Sequence, residues 1–217
     1  MARRLADALH TEFVDVVPRL GEADNYLVAA DRNPNTTGAK LILGIEEPGK
    51  ALADIRKGIE QGRIRALVVL QENLIDDAGF TAEELGKLDF LLVTYPLANP
   101  TAEVADVVLP GAAFAEKRGS MINVTGRLQR LNKANDGPGQ TREVWEIVRD
   151  LIQSVGGGNG IYSVDEVFKQ LAAEVKEFEG LTLASIGDQG LPILETGETI
   201  PLLERERERI AKGIVVG

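Results

Sequence analysis

Residues 66–110 read ALVVLQENLIDDAGFTAEELGKLDFLLVTYPLANPTAEVADVVLP. Three short apolar runs stand out: ALVVL at 66–70, FLLVTY at 90–95 and VVLP at 107–110. Each has strand length, and the first has no polar alternation, as expected of a strand covered on both faces in a parallel sheet. Thr81 precedes Glu84 by the three residues of a capping box, which predicts a helix start between the first two runs. The loop 96–100 follows the second run, and Thr101 is expected to cap a short helical turn. Upstream, Leu52, Ile55 and Ile59 recur at helical spacing and Gly62 stands at the stop. Helices alternating with short apolar strands predict an α/β fold, a doubly wound and mostly parallel sheet.

The flanks extend this unit. Residues 2–10 predict a short helix, 25–30 (NYLVAA) a strand, 31–39 a loop, and 41–45 (LILGI) a second apolar run. The stretch 71–80 is expected to be a loop. Downstream, Val144, Ile147, Val148, Leu151 and Ile152 share one face of a helix in 141–157. GGGNG at 156–160 follows a helix, lacks the Lys-Ser/Thr of a phosphate-binding loop, and is expected to be a helix stop plus loop. Ser163 with Glu166 starts another helix running to about residue 178, and the remainder from 181 is expected to wrap over the surface as an irregular tail. ERERER at 204–209 suits a solvated helical end. The expected domains are 1–157 and a helical extension with tail, 158–217.

Composition narrows the function. The formal net charge of −10 argues against nucleic acid as a partner, because phosphate neutralisation needs a basic surface. With no cysteine and one histidine, this chain by itself ligates no iron–sulfur cluster, has no thiol nucleophile and offers no His-rich metal site. The N-terminus has no sustained apolar segment and no run is long enough for a transmembrane helix, so direct membrane insertion is not expected. His10 on a weak terminal helix is a poor member of a hydrolytic triad, and Trp145 reads as a core residue.

Ligands of such sheets bind beyond the carboxyl ends of the strands. Those ends are 71–76, 95–101 and 110–119, the last running into GAAFAEKRGSMINVTGR at 111–127. On composition alone, Asn, Thr and Gly there shape turns, and Glu116 and Arg127 pair with each other or with neighbours.

The stretches 64–73, 87–134 and 141–157 resemble the molybdopterin oxidoreductase family. The resemblance lies in Glu72 and Asn73 after the first strand, Thr101 to Pro110, then Glu116, Gly119, Ser120, Asn123, Gly126, Arg127 and Gln129. Gln71 departs from the family's Gly at that place, which restricts close backbone approach. Within the family the likeness is strongest to the large peripheral-arm subunit of bacterial NADH-quinone oxidoreductase, respiratory complex I. That likeness implies the C-terminal portion of a longer polypeptide whose iron–sulfur clusters lie upstream. It implies a scaffold that itself carries no cofactor and no catalytic residue. Its partners would be the rest of the parent subunit and other peripheral-arm subunits, on the cytoplasmic, inner face of the cell membrane. The alternative is a true molybdopterin enzyme such as a formate dehydrogenase-like oxidoreductase. There Glu72, Asn73, Thr101, Glu116, Gly119, Asn123, Gly126 and Arg127 would border a molybdopterin guanine dinucleotide. A stand-alone interaction protein is the third reading.

Overall fold

A computed structural model describes residues 1–156 and 160–213. The middle of the chain forms a three-stranded parallel sheet in sequential order, β1 (Ala66–Leu70), β2 (Phe90–Tyr95) and β3 (Val107–Pro110). Val69 stands beside Val93, and Val93 beside Val108. Three helices lie upstream: α1 (Ala2–Ala8), α2 (Thr36–Leu43) and α3 (Leu52–Glu60). The first crossover carries α4 (Leu74–Ala78) and α5 (Ala82–Leu85), and the second carries α6 (Pro100–Glu103). Alternation along β1 divides two cores. Leu67 and Val69 face Ile55 and Ile59 of α3, with Leu74, Leu85 and Phe80. Val68 and Leu70 face Leu5 of α1 and Val148 and Ile152 of α7 (Val144–Ser154). The sheet is thus covered on both faces, as the unbroken apolar run predicts.

A second, antiparallel sheet follows: β4 (Gly119–Ile122), β5 (Arg127–Leu131) and the short β6 (Leu191–Pro192). α8 (Val164–Glu174) lies over it. Ile122 and Leu128 share one hydrophobic cluster with Val164 and Phe168 of α8 and with Phe178, Leu183 and Ile186. Phe168 and Phe178 meet edge to face at 5.7 Å. The chain closes with α9 (Pro201–Ala211).

Several local expectations hold. The capping boxes at Thr81/Glu84 and Ser163/Glu166 both form. Gly62 takes φ +67 beyond α3, where its N–H reaches the Ile59 carbonyl and the Arg63 N–H reaches that of Gly58, a Schellman stop. α9 buries none of its residues, in keeping with a solvated ERERER.

Others are corrected. Residues 25–30 are not a strand: Asp24 Oδ1 accepts from the backbone N–H groups of Tyr26, Leu27 and Val28 at 2.9, 2.8 and 2.8 Å, curling the segment into a turn. That carboxylate consumes the donors a strand would need. The apolar run 41–45 belongs to α2, which starts inside the expected loop and ends at left-handed Gly44. The expected loop 71–80 contains α4, capped by Asn73. The cap of α6 is Asn99, whose Oδ1 accepts from Ala102 N at 3.0 Å, while Thr101 is buried inside the helix. α8 stops at Glu174 and a separate 3-10 turn covers Lys176–Phe178. The segment from 181 is no loose wrap, since Leu183 and Ile186 are buried and β6 pairs with β5. The GGGNG reading falls largely on 157–159, outside the described residues; Gly156 has φ +99. Among the described residues no helix is long and apolar enough to cross a membrane.

Candidate functional site

The carboxyl ends of β1 and β2 bring Glu72, Asn73 and Thr101 into one network. Thr101 is fully buried, donates from Oγ1 to Asn73 Oδ1 at 2.8 Å and accepts from Ile75 N at 3.0 Å. Asn73 Nδ2 donates to Asp76 Oδ2 at 2.6 Å. One hydroxyl therefore ties the start of α4 to α6, each helix the first after its strand. Glu72 receives both terminal nitrogens of Arg19, at 3.2 and 2.6 Å, and Arg19 also reaches Asp77 at 2.7 Å. The hydrogen bond to Glu72 outweighs partial burial and holds the Arg19 guanidinium above its ordinary range.

Gln71, the first residue after β1, takes the left-handed conformation at φ +61. Its carboxamide folds over Gly111 at the end of β3, where a Cβ on Gly111 would lie 2.1 Å from Gln71 Nε2. That nitrogen is buried and has no hydrogen-bond partner. The Oγ1 of fully buried Thr94, near the end of β2, shares that lack.

The remaining candidates sit further along the chain. Glu116 lies in a 3-10 turn and accepts from Ala113 N at 2.9 Å; it does not pair with Arg127. Gly119 opens β4. Asn123, Gly126 and Arg127 build the β4–β5 hairpin. Asn123 Oδ1 accepts from Thr125 N, Thr125 Oγ1 and Arg127 N at 2.9–3.1 Å. Gly126 has φ +78, and a Cβ there would meet the Leu194 carbonyl oxygen at 2.1 Å. Only glycine suits both demands. Arg127 Nη1 donates to the carbonyls of Gln189 and Gly190 at 2.9 and 3.0 Å, fastening β5 to the segment before β6.

Two residues escaped the sequence reading. Asn33 accepts from Arg19 at 3.2 Å and donates to Val17 O, while Asn35 Oδ1 accepts from Ile122 N at 2.8 Å. The turn 31–35 thus bridges the β1 end and β4. The DRNPN cluster signalled a turn, but nothing local says which distant amides its asparagines meet.

The side chains assigned by resemblance make hydrogen bonds within the chain. Asn73 and Thr101 bond each other, with Asp76 and the Ile75 N–H completing their set; Glu116 Oε2, Asn123 Oδ1 and Arg127 Nη1 each bond nearby backbone, and Glu72 is paired with Arg19. Gln71 fills the space over Gly111 with its own amide. These bonds set the shape of the strand-end loops. Among the described residues no group of three His, Asp or Glu side chains is placed to hold a metal ion.

Comparison with known proteins supplies the kinship. The chain is 37% identical over 134 residues to the F420-dependent formate dehydrogenase 1 subunit alpha of Methanococcus maripaludis, covering 59% of this chain and 20% of the relative. A formate dehydrogenase subunit alpha of Methanocaldococcus jannaschii, also F420-dependent, is 31% identical over 166 residues, 74% of this chain and 23% of the relative. The NADPH-Fe(3+) oxidoreductase subunit alpha of Geobacter sulfurreducens is 36% identical over 147 residues, 65% and 17% respectively. The chain therefore spans about a fifth of the length of these curated relatives. These relatives are named as alpha subunits of formate dehydrogenases and of an NADPH-Fe(3+) oxidoreductase, not as the large peripheral-arm subunit of NADH-quinone oxidoreductase. The family model for molybdopterin oxidoreductases matches residues 20–154, well over half of the chain, from the residue after Arg19 to the end of α7, and the chain belongs to the molybdopterin oxidoreductase family.

Proposed function

We propose that the chain is the strand-end scaffold of the large subunit of a formate dehydrogenase-like oxidoreductase. The observation that carries this reading is the 37% and 31% identity to formate dehydrogenase alpha subunits, with the family match covering β1–β3 and their loops, whose Asn73, Thr101, Asn123 and Arg127 bond to shape those loops. In this role Asn73 and Thr101 lock the first turns after β1 and β2, and Asn123, Gly126 and Arg127 lock the hairpin beyond β3. They position backbone for whatever the rest of the large subunit holds. Partner subunits are part of the proposal, since the relatives are themselves named as subunits.

The test is made on the native protein that contains this chain. Formate-dependent reduction of an electron acceptor, together with a fluorescent pterin released on oxidation, is the expected result. Arg127→Ala in that protein should lower the yield of folded protein and leave KM for formate unchanged in what remains. Absence of both formate oxidation and pterin would overturn the reading. It would favour a pterin-free scaffold like that of the NADH-quinone oxidoreductase peripheral arm. One observation supports that second reading: the Gln71 carboxamide packs over Gly111, in the crevice a glycine at 71 would leave open.

A further inference from the structure

α9 lies on the surface with none of its residues buried. Two large apolar side chains on it face water: Leu203 is 42% exposed and Ile210 73%. They stand seven positions apart, two helical turns, and so on one side of the helix. Glu206 and Arg207 lie between them on that same side, three and four residues after Leu203. The four residues form the i, i+3, i+4, i+7 seam by which one helix packs on another. Arg207 forms no salt bridge within the described residues. Leu203 and Arg207 also border an open groove of about 190 Å³ beside Pro192 and Ile200, which leaves space along the flank of the seam.

The order of residues in α9 says what suits this seam. Inverted about the point midway between Glu206 and Arg207, the segment LERERERI at 203–210 is its own complement. Leu203 comes opposite Ile210, and Glu206 opposite Arg207. On the flanks Glu204 comes opposite Arg209, and Arg205 opposite Glu208. An antiparallel two-fold pair of such helices therefore sets every Glu of the segment against an Arg. A parallel two-fold pair sets Glu on Glu and Arg on Arg, which is repulsive. Sliding the antiparallel pair by one turn sets Ile210 against Arg207 and loses the apolar match.

We infer that α9 is a self-association surface, pairing antiparallel with α9 of a second copy of this chain across a two-fold axis. Leu203 then packs on Ile210 of the other copy and Glu206 pairs with its Arg207, each contact made twice by symmetry. No strand-end candidate takes part, so the inference stands apart from the formate dehydrogenase-like reading. A helix of 11 residues is only about 16 Å long, so the pair buries less than a standard-size interface and the dimer is weak.

The experiment is sedimentation equilibrium of the 217-residue chain over about 10–500 µM, the range suited to a weak interface. The expected result is a reversible monomer–dimer equilibrium. Arg207→Glu and Glu206→Arg should each weaken it at least tenfold, because each sets like charges across the axis. An equal mixture of these two variants should dimerise again, since acid then meets base at both positions; this recovery shows that both variants are folded. Orientation is read with single thiols, which the absence of cysteine from the chain makes simple. Under mild oxidation, a Leu203→Cys chain mixed with an Ile210→Cys chain should cross-link to each other in preference to themselves. A monomer throughout the range overturns the inference. So does a dimer that neither charge variant weakens, a mixture that does not recover, or thiols that join like with like.

Discussion

Replacing Gln71 by glycine should make the protein more stable than replacing it by alanine, a reversal of the usual order in ordered structure. The reasoning starts from φ +61 at Gln71. A non-glycine residue in the left-handed region costs about 1–2 kcal/mol, and glycine escapes that cost. Against it stands the greater freedom of glycine in the unfolded chain, about 0.4–1 kcal/mol. The difference leaves Gln71→Gly about 0.5–1 kcal/mol more stable than Gln71→Ala. Both variants lose the same side chain beyond Cβ. Both therefore lose the carboxamide packed over Gly111, with its unpartnered Nε2. Leaving a buried amide unsatisfied costs about 1–3 kcal/mol, so its removal offsets the lost packing in both. The comparison thus isolates backbone conformation. Urea unfolding followed by Trp145 fluorescence measures it, and a thermal midpoint should differ by about 1–4 °C for a chain of this size. A Gln71→Gly protein equal to or less stable than Gln71→Ala would refute the strained conformation at the end of β1. The same pair of variants bears on the pterin-free reading, because both open the space over Gly111.

Thr101→Val keeps the shape of the buried side chain but orphans Ile75 N–H and the Asn73 Oδ1 contact; a loss of about 1–3 kcal/mol in urea unfolding is expected. Gly126→Ala should cost at least about 2 kcal/mol, from φ +78 and the clash with Leu194 O, and should accelerate hydrogen exchange at Ile193 and Leu194, whose amides donate to Gly126 O. Asp150 bridges Arg142 and Arg149; desolvation raises its carboxyl, but the two guanidinium hydrogen bonds prevail and hold it below the usual carboxylate range. A folded-state pKa below the unfolded one gives stability that is complete above about pH 4 and is lost as pH falls through the lowered value. The stability gap between wild type and Asp150→Asn should therefore hold between about pH 6 and about pH 4 and shrink as pH falls to about 3. A gap that stays constant over that range would refute the bridge.

Local chemistry made much of the fold legible. Apolar runs of strand length at 66–70, 90–95 and 107–110 mark the parallel sheet, because a strand buried on both faces needs apolar groups on both sides of the pleat. The capping boxes at Thr81 and Ser163 and the stop at Gly62 are also local, each completed within a few residues. The errors arose where a polar side chain reached backbone that no window could rank. Asp24 gathering three amides turned an apolar segment away from strand, and Asn73 and Asn99 capped helices of five and four residues, too short for periodicity to show. The second sheet was missed because β4 and β5 carry mixed residues whose apolar side is defined only by α8 and the 178–186 segment.

The site divides in the same way. The sequence by itself determined the strand-end loops as the place to look, the family to which they belong, and the charge balance that excludes a nucleic-acid surface. It also named Glu72, Asn73, Thr101, Glu116, Gly119, Asn123, Gly126 and Arg127 as the residues to follow. Only the tertiary structure decided what those residues spend their hydrogen bonds on. Thr101 meets Asn73 across 28 positions, and Arg127 meets Gln189 across 62. Pairing over such separations depends on how the two sheets and their helices pack. A carboxamide or guanidinium is satisfied by whichever partner that packing brings within reach, and no local pattern encodes it.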